Sequence, residues 1–597
     1  MEVEDLFIEN VNKIQAKKRF IKELVEGKHG DTEKAIQKLQ RKYKINLSKV
    51  DIRKLIIQIY GSIPDHMINS IIKCNIRSLS GVLVVTVVLK PGKFSCNQKC
   101  SYCPTETDTD GNPTQPKSYL SSEPAMRRAL QHNFDIKEQF WDRIRTYEAT
   151  GNFDGCSGKI EVIISGGTWE HYPYEYRKQV ITEIYWAANS YHSRRESLDL
   201  ESEIKENEYT PSLRIIGLTI ETRPDNIRIT SIKEYRLFGI TRIQLGVQHY
   251  SDYILEGIRR GCNTDHTIRA IRLLKNAGFK VVCHLMPDLP NSDPALDVWM
   301  FDMAVKDPDL QFDDVKIYPT AICKSDNENI IVRSEIMDWY EKGLYTPYGE
   351  TNLNSLIDVI ISYKEKVQPY VRIQRVIRDI PSKSIASGYE KKSNLRQMIA
   401  NEMEKQGKKC QCIRCMEVRS DKSSNRAIVV REYEASGALE VFISVEAHEG
   451  FCPSLFISKI SNSHFKGCLK HRSAILGFCR LRLGVKKSPV GLDNYALIRE
   501  LHVYGKTTSI NEKSEGQQHK GIGSVLMKKA EEIAYKHGHE KIAVISGVGS
   551  REYYRKKHGY ELSNTYMVKT LTMQSDKQYY KIIIFSFIFV IFSFFML

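Results

Sequence analysis

The sequence predicts an α/β protein in which a parallel sheet or partial barrel is followed by a second, smaller α/β unit. Six short β-branched runs between residues 82 and 318 are each followed by room for a helix, as in repeated strand-helix units. Two further runs, residues 476–483 and 497–503, indicate strands of another sheet. The length of 597 residues is several times what one hydrophobic core usually holds, so we expect three or four folded units.

Composition and charge narrow the class of protein. With 41% hydrophobic and 27% charged residues, the chain is neither collagen-like nor of low complexity. Its 88 Lys and Arg outnumber its 72 Asp and Glu by 16, and this surplus favours a polyanionic partner, above all nucleic acid. The 14 cysteines are too few for a disulfide scaffold, and the N-terminus lacks the apolar core of a signal peptide, so we expect reduced thiols that face the cytosol or nucleus.

The first two segments differ in their patterns. Residues 1–75 are rich in Lys, with helical periodicity at 32–43 and 49–60, and their lysines form either a surface for phosphates or a solvated helix face. The first α/β unit is expected at residues 76–406. Its predicted strands are the short runs 82–89, 160–165, 215–220, 243–247, 280–286 and 314–318. Ligands of such sheets bind at the carboxyl ends of the strands.

Three cysteines directly after the first predicted strand, Cys96, Cys100 and Cys103, form a CxxxCxxC array. Three thiolates at this spacing can hold three irons of a [4Fe-4S] cluster and leave the fourth iron open. The open iron can chelate the amino and carboxylate groups of S-adenosylmethionine, and this array resembles that of the radical S-adenosylmethionine superfamily. The alternative is a zinc knuckle with a distant fourth ligand, but structural zinc sites usually come as paired CxxC units.

Polar motifs end two later strands, where this architecture places ligands. Residues 159–165 run into Gly166 and Gly167, and glycine lets a backbone approach a ligand closely. Glu221 and the charged residues that follow it end another apolar strand, so their burial requires either a polar ligand or a salt bridge among themselves. Gly166, Gly167 and Glu221 are therefore candidate cofactor-binding residues.

A glycine motif marks the second α/β unit. Gln518, Gly521 and Gly523 form a QxxGxG pattern that opens a helical stretch at 525–536, with a predicted strand on either side. Glycines at a helix N-terminus expose backbone N–H groups that can hold a pyrophosphate. Together with the YYRK motif at 553–556, this order resembles the GNAT acetyltransferase fold and its acetyl-coenzyme A site. A Rossmann-type nucleotide loop is the alternative, although no acidic residue closes a following strand in the expected way.

The two units together resemble the family of Elongator catalytic subunits, tRNA uridine carboxymethyltransferases that are also described as histone acetyltransferases. The resemblance spans residues 46–571 and depends on stretches that match in order: 76–81, 217–225, 246–248, 284–290, 316–320, 378–381, 499–505 and 541–549. It implies a radical S-adenosylmethionine partial (β/α)6 barrel joined to a GNAT domain. It also implies formation of 5-carboxymethyluridine at the wobble position of tRNA, with an adenosyl radical activating the acetyl methyl group and hydrolysis releasing coenzyme A.

The same resemblance implies roles for individual residues. Cys96, Cys100 and Cys103 would ligate the cluster, and Lys159 and Tyr554 would be catalytic. The residues implied to bind cofactor or acetyl-coenzyme A are Lys159, Gly166, Gly167, Glu221, Glu500, Leu501, His502, Val503, Gln518, Gly521, Ile522, Gly523, Ser524 and Tyr554. The N-terminal region and residues 378–396 would hold tRNA, and other Elongator subunits or a second copy of the chain are further expected partners.

A lysine (histone) acetyltransferase with a structural iron-sulfur site is the competing function. The two functions make opposite electrostatic demands, because a net charge of +16 attracts tRNA phosphates and repels cationic histone tails. The charge therefore favours the tRNA-modifying function.

A second cysteine array separates the two α/β units. Cys410, Cys412 and Cys415 lie in a segment expected at residues 407–425, and they resemble the structural zinc site of some family members. The sequence does not identify a fourth ligand, and free buried cysteines are the alternative. The GNAT domain is expected to follow at residues 426–572.

The chain ends in an uncharged apolar stretch, residues 582–597. With Tyr579 and Tyr580 at the interface and Lys581 snorkelling, residues 579–597 have almost the length of a membrane-spanning helix, so we expect a C-terminal transmembrane tail anchor. A buried terminal helix or strand is the alternative. The anchor would keep the catalytic part in the cytosol, at the mitochondrial outer membrane in preference to the endoplasmic reticulum.

Overall fold

The computed structural model describes most of the chain. The described residues are 2–27, 31–64, 67, 71, 81–92, 96–153, 155–209, 212–389, 394–418, 426–448, 472–504 and 521–572. Gln518 and the predicted anchor at 579–597 lie outside these residues. Within them, no helix combines the length and the apolar character that a membrane crossing requires.

Three helices near the N-terminus share a hydrophobic core of their own. They are Glu2–Glu26, Thr32–Tyr43 and Lys49–Tyr60. The second and third have the bounds that the sequence predicts, because Asp31 caps one and Ser48 and Asp51 form a capping box on the other. Ile36 and Ile52 are buried in the core of this module.

Seven parallel strands form one sheet in which spatial order follows chain order. They are β1 Val82–Val88, β2 Gly158–Ser165, β3 Leu213–Thr222, β4 Arg242–Gln248, β5 Lys280–Leu285, β6 Asp314–Ile317 and β7 Arg372–Arg375. The crossover helices are Ile136–Ala149, Tyr174–Asn189, Leu200–Tyr209, Ile229–Leu237, Asp252–Gly257, Thr264–Asn276, Pro294–Lys306, Leu353–Lys366 and, after β7, Leu395–Lys405. The expected strand-helix architecture is confirmed, and all six predicted strands are present.

The seventh strand, β7, is missing from the sequence-based prediction of six strands. Its four residues include one apolar side chain, Ile373, so no hydrophobic run marks it. Its position depends on tertiary contacts, since Arg372 donates hydrogen bonds to Glu417 at 2.7 Å and to the Tyr504 hydroxyl at 3.1 Å. Context rather than local pattern defines this strand.

Short elements order the loops around the half-barrel. Glu106, just beyond the first cysteine array, is buried and accepts hydrogen bonds from Thr114 Oγ1 at 2.6 Å and Ser121 N at 2.8 Å. The short elements are the antiparallel pairs Thr105–Asp108 with Ile330–Arg333 and Ile322–Cys323 with Ile385–Ser387, and the helices Pro124–Gln131, Glu335–Glu341, Tyr348–Thr351 and Ile413–Met416.

The second unit is a mixed sheet with helices against it. Its strands are β8 Arg426–Ala435, β9 Ala438–His448, β10 Arg472–Leu483, β11 Ala496–Val503, β12 Lys541–Val544, β13 Glu561–Ser563 and β14 Tyr566–Thr570, and its helices are Ile522–Lys536 and Arg551–His558. All neighbouring pairs are antiparallel except β11 with β12. The parallel pairing covers Ala496–Ile498 of β11, and β11 then bulges at Arg499 and continues along β10.

Buried charges connect the half-barrel to the second unit. Asp313, directly before β6, accepts hydrogen bonds from Arg499 of β11 at 2.6 and 2.9 Å, and Arg499 also donates to Glu440 of β9 at 2.9 Å. Lys275 completes the cluster at 4.0 Å from Asp313. Burial opposes ionisation of Asp313, but Arg499 and Lys275 outweigh it and hold the pKa of the carboxyl well below its ordinary value.

Candidate active site

The first cysteine array lies beside the carboxyl ends of the half-barrel strands, as predicted. Cys96, Cys100 and Cys103 line one cavity together with Arg223, which follows β3, and Arg260. Nη1 of Arg223 and Nη1 of Arg260 each lie 3.5 Å from the Cys100 sulfur. Two cations therefore face one buried sulfur of the array, where they can balance the charge of a metal-bound thiolate.

The other two cysteines have contrasting surroundings. Burial raises the pKa of Cys96, but hydrogen bonds with His171 and Thr168 outweigh it and lower the value to about 6. Burial, followed by the charge of Cys100, raises the pKa of Cys103 to about 12. A bound metal centre would remove the penalty for ionising Cys103, so the donor set fits a cationic cluster. Among the described residues, the three cysteine sulfurs that all lie within 4.8 Å of one another are those of the second array. The three sulfurs of the first array are therefore more widely spaced than the ligands of a single zinc ion.

The two glycines after β2 have different roles. A Cβ atom on Gly166 would lie 2.8 Å from the Leu89 side chain, so close packing requires glycine there. Gly167 has a φ of +89° and lines the cavity. Of the two predicted cofactor-binding glycines, the structure therefore places Gly167 at the cavity and Gly166 behind it.

Glu221 ends β3 and lines the same cavity. Its carboxylate accepts a hydrogen bond from the Tyr119 hydroxyl and lies 3.5 Å from Ser165 Oγ. Arg223 donates to Asp225 at 2.9 Å, so the strand-end salt bridge that the sequence leaves as an alternative is present. Because Arg223 also contacts the cysteine array, this salt bridge positions a cation at the site.

Strand β11 brings Glu500 and His502 to the cavity from the second unit. Glu500 forms ion pairs with Lys280 at 2.7 Å and with Arg480 at 2.9 Å, and against the effect of burial these cations lower the pKa of Glu500 well below its ordinary value. Its carboxylate therefore joins the two units. Burial lowers the pKa of His502 to about 3, so its ring is neutral, and it stacks on Phe478 at 5.7 Å. Leu501 and Val503 alternate with these residues along the strand.

The described part of the glycine turn begins a helix, as predicted. Gly521 has a φ of +76° and precedes the first helical residue. A Cβ atom on Gly523 would lie 2.7 Å from the Tyr553 hydroxyl, which also hydrogen-bonds Ser524. The ring of Tyr554 is buried 5.3 Å from that of Tyr553. The structure thus brings Tyr553 to the turn and places Tyr554 behind it.

Lys159 lies at the opposite end of β2 from the two glycines. It is in register with Val82 and Arg214 on the neighbouring strands. Burial, followed by the charge of Arg214, lowers its pKa. A Cβ atom on Gly549 would lie 2.7 Å from Arg214, so this end of the half-barrel faces the second unit. Lys159 is therefore at the interface of the two units rather than at the cysteine array.

One cavity of about 930 Å³ connects the first cysteine array with Glu500 and His502. The cysteine array lines one end, Glu500 and His502 line the other, and the lumen of the half-barrel lies between them. Gln244, His284 and Lys316 line the lumen. His284 and Lys316 begin two of the stretches that carry the family resemblance, but neither they nor Gln244 and Arg260 were predicted as site residues, because strand register rather than local spacing brings them together.

The second cysteine array forms a compact cluster. The sulfurs of Cys410, Cys412 and Cys415 lie within 4.8 Å of one another. Hydrogen bonds from the other two thiols lower the pKa of Cys412 well below its ordinary value. Ile413 N donates to Val371 O at 2.9 Å, which attaches the segment next to β7. Three sulfurs this close fit one zinc ion.

Models of three families match successive parts of the chain. The radical SAM superfamily matches residues 94–295, the radical SAM C-terminal domain matches residues 312–405, and the GNAT acetyltransferase family matches residues 452–560. These matches coincide with the half-barrel and with the second unit.

Similar proteins cover almost the whole chain. The tRNA uridine(34) acetyltransferase of Methanocaldococcus infernus is 36% identical over 570 residues, which are 93% of this chain and 98% of that one. Elongator complex protein 3 of Saccharomyces cerevisiae is 31% identical over 560 residues, covering 90% and 91% of the two chains. The solved structure of M. infernus Elp3 with an N-terminal deletion has a TM-score of 0.64 at 34% identity and covers 82% of this chain and all of that one. The chain therefore belongs to the family of tRNA uridine(34) acetyltransferases and Elongator complex protein 3, acyltransferase enzymes with a radical SAM half-barrel and a GNAT domain.

Proposed function

We propose that this enzyme modifies the wobble uridine of tRNA to 5-carboxymethyluridine, with acetyl-coenzyme A as the source of the new carbons. The observation that carries the proposal is the single cavity of about 930 Å³ that joins the cysteine array to β11 of the GNAT domain. Direct acetyl transfer to an amine needs no passage to an iron-sulfur site. Joining the acetyl methyl carbon to C5 of uridine requires acetyl-coenzyme A at one end of such a cavity and the iron-sulfur site at the other.

The cysteine end of the cavity would supply the reactive species. A [4Fe-4S] cluster with S-adenosylmethionine supplies the electron and the carbon radical that activate an unreactive methyl group. Cys96, Cys100 and Cys103 would hold the cluster, and Glu221 and Gly167 line the space where S-adenosylmethionine would bind. The walls of the half-barrel separate this space from bulk water, which protects a reactive intermediate from side reactions.

The GNAT end would supply acetyl-coenzyme A. The backbone of Glu500–Val503 beyond the parallel pairing and the N–H groups of Ile522–Ser524 would bind it, with the pyrophosphate at the helix N-terminus. Lys159 at the interface and Tyr554 behind the turn remain the predicted catalytic residues. The acetyl group would then enter the lumen, and water would hydrolyse the thioester after the new carbon bond has formed.

Basic surfaces would bind the tRNA. Arg375, Arg396 and Arg414 line the cavity where a nucleotide would enter, and the N-terminal helical module carries further lysines. Arg378, which the resemblance places in the tRNA-binding segment, lines the same cavity and donates to Glu123 at 2.7 and 3.0 Å. These bonds attach it to the loop beside the cysteine array.

The competing function is lysine acetylation with a structural iron-sulfur site. Anaerobically reconstituted enzyme with reductant, S-adenosylmethionine and acetyl-coenzyme A would be offered tRNA or a histone tail peptide. We expect 5-carboxymethyluridine in tRNA, and we expect Cys100→Ala to abolish it while the melting temperature stays close to that of the wild type. Unchanged modification by Cys100→Ala, or acetylation of the peptide alone, would reject the proposed reaction.

We propose a separate role for each segment of the chain. Residues 1–75 bind tRNA, residues 76–406 carry the radical chemistry, residues 407–425 hold a structural zinc ion, and residues 426–572 bind acetyl-coenzyme A. Other Elongator subunits are further proposed partners, which the similarity to Elongator complex protein 3 supports. A second copy of the chain is the alternative partner.

We also propose that residues 579–597 anchor the enzyme to a membrane, with its catalytic part in the cytosol. The support is the uncharged run 582–597, next to Lys577 and Lys581. A fluorescent fusion of the full chain would label the mitochondrial outer membrane, or the endoplasmic reticulum as the rival site, and deletion of 579–597 would release it. A diffuse signal for both fusions would reject the anchor.

A further inference from the structure

Lys316 occupies the middle of the lumen. It is on β6, in register with His284 of β5 and, one strand further, Gly246 of β4. Its side chain is buried, and its ammonium group donates a hydrogen bond to Gln244 Oε1. The same amide oxygen accepts from His284 Nε2 at 2.9 Å. Gln244 and His284 thus hold the ammonium group in place.

Contacts on one side of Lys316 lead to the cysteine array. The carbonyl group of Gly246 accepts a hydrogen bond from Arg260, whose other terminal nitrogen lies 3.5 Å from the Cys100 sulfur. Neighbouring strands are about 4.8 Å apart, so the backbone of Lys316 lies roughly 10 Å from that of Gly246.

Contacts on the other side lead to the GNAT domain. Asp314 is two residues before Lys316, about 7 Å along the same face of β6. It lies 3.1 Å from the Lys280 ammonium group, which contacts Glu500 of β11 at 2.7 Å. The Lys316 side chain therefore lies in the lumen between the cysteine array and Glu500 of the GNAT domain.

The hydrogen-bond partner of Lys316 distinguishes it from the other cations that the half-barrel strands place in the cavity. Those four have carboxylate partners: Arg242 with Glu161, Lys280 with Asp314 and Glu500, Arg372 with Glu417, and Arg375 with Asp379. The hydrogen bond of the Lys316 ammonium group to Gln244 goes instead to a neutral amide. Burial lowers its pKa to about 8 against the raising effect of Glu221, so the group is mainly charged at pH 7. An ammonium group has three donors, which leaves capacity for a ligand.

We propose that Lys316 binds the carbonyl oxygen of the acetyl thioester and orients its methyl group toward the cysteine end of the lumen. The inference rests on the proposed function, because it takes the acetyl group to enter from the GNAT domain. A thioester carbonyl in this enclosed space needs a donor, since burial without a hydrogen bond is unfavourable. A charged donor also stabilises electron density that shifts to the oxygen as the methyl carbon reacts. Gln244 and His284 are the positioning residues of this donor.

The test compares the affinities of acetyl-coenzyme A and coenzyme A by calorimetry, in the presence of tRNA. We expect the wild type to bind acetyl-coenzyme A about tenfold more tightly than coenzyme A. This is the gain in affinity that one hydrogen bond to a charged group provides. Lys316→Met should make the two affinities equal, and Lys316→Arg should keep part of the preference. Lys306→Met, which removes an exposed lysine paired with Asp302, is the matched control and should bind like the wild type.

Either of two results would overturn the role of Lys316: an unchanged preference in Lys316→Met, or an equal loss of affinity for both ligands. Iron content and the melting temperature show whether Lys316→Met is folded. The measurement needs no radical chemistry, so it is independent of the proposed reaction. A wild-type enzyme that shows the preference but makes no 5-carboxymethyluridine would reject the reaction and leave the role of Lys316 intact.

Discussion

Arg260 connects the cysteine array to the sheet. One of its terminal nitrogens approaches the Cys100 sulfur at 3.5 Å, and the other donates to the carbonyl group of Gly246 in β4. A Cβ atom at Gly246 would lie 3.1 Å from this guanidinium group, so glycine makes room for it. A cation beside a ligating sulfur stabilises the more negative, reduced state of a bound cluster.

We therefore expect Arg260→Met to make the cluster harder to reduce. Loss of about 1.4 kcal/mol of differential stabilisation lowers the midpoint potential of a one-electron couple by roughly 60 mV. Redox titration followed by electron paramagnetic resonance measures the shift. Arg259→Met, whose side chain is exposed and paired with Glu335, is the control and should keep the wild-type potential. An equal potential in both variants would show that Arg260 does not act on the cluster.

At the residue scale, the sequence predicts candidate ligands more readily than the residues that surround them. The three cysteines were predictable because ligand spacing is local. The roles of Arg260 and Lys316 at the cavity were not, since a loop and the register of the strands, rather than local spacing, bring these side chains to their partners. The YYRK motif does not show which of its two tyrosines contacts the glycine turn. The orientation of the helix decides this, and it brings Tyr553 rather than Tyr554 to the turn.

At the element scale, the buried ion pairs fix β11 against the half-barrel. Asp313 accepts two hydrogen bonds from Arg499, the residue at the bulge that directs Glu500 toward the cavity. Removal of one member of a buried ion cluster leaves the others without compensation. The bulge and the charge cluster together therefore set the position of β11.

Asp313→Asn should destabilise the enzyme by about 3 kcal/mol or more, because Arg499 and Lys275 lose their buried counter-ion. Urea denaturation followed by fluorescence measures the effect. Asp302→Asn, which breaks exposed ion pairs with Lys306 and Lys366, should cost about 1 kcal/mol or less. Equal stabilities of the two variants would contradict a structural role for the buried cluster.

The second cysteine array should bind one zinc ion independently of the iron site. Cys412→Ser should remove zinc and leave the iron content unchanged, since the array lies beside β7 and away from Cys100. Elemental analysis by mass spectrometry gives both metals in one sample. Cys156→Ser changes an exposed cysteine outside both arrays and should retain both metals. Zinc that persists in Cys412→Ser would contradict the assignment.

The bounds of strands and helices were predictable where burial requires apolar side chains or where the sequence shows a helix cap. The first six strands are buried β-branched runs, and the helices at 32–43 and 49–60 have caps that the sequence shows. β7 was not predictable because its polar side chains are satisfied by residues distant in sequence, Glu417 and Tyr504. Tertiary contacts overrode local propensity there.

At the scale of the whole molecule, two enzymatic units face each other through one lumen. The GNAT domain packs where β3, β5 and β6 begin, and the cysteine array lies where the strands end. In the proposed reaction, a methyl group delivered from the GNAT side would meet the radical formed at the cysteine side within this cavity. The net charge of +16 favours a polyanionic substrate for this lumen.

The most direct test of this account follows the hydrogen atoms of the acetyl group. Reconstituted enzyme would receive acetyl-coenzyme A with a trideuterated methyl group, S-adenosylmethionine, reductant and tRNA under strict exclusion of oxygen, and mass spectrometry would analyse both products. We expect deuterium in 5′-deoxyadenosine and the remaining label in the carboxymethyl group of uridine, with both signals absent in Cys100→Ala. Unlabelled 5′-deoxyadenosine alongside labelled uridine would contradict the account, because the methyl group would then have reacted without the cysteine end of the lumen.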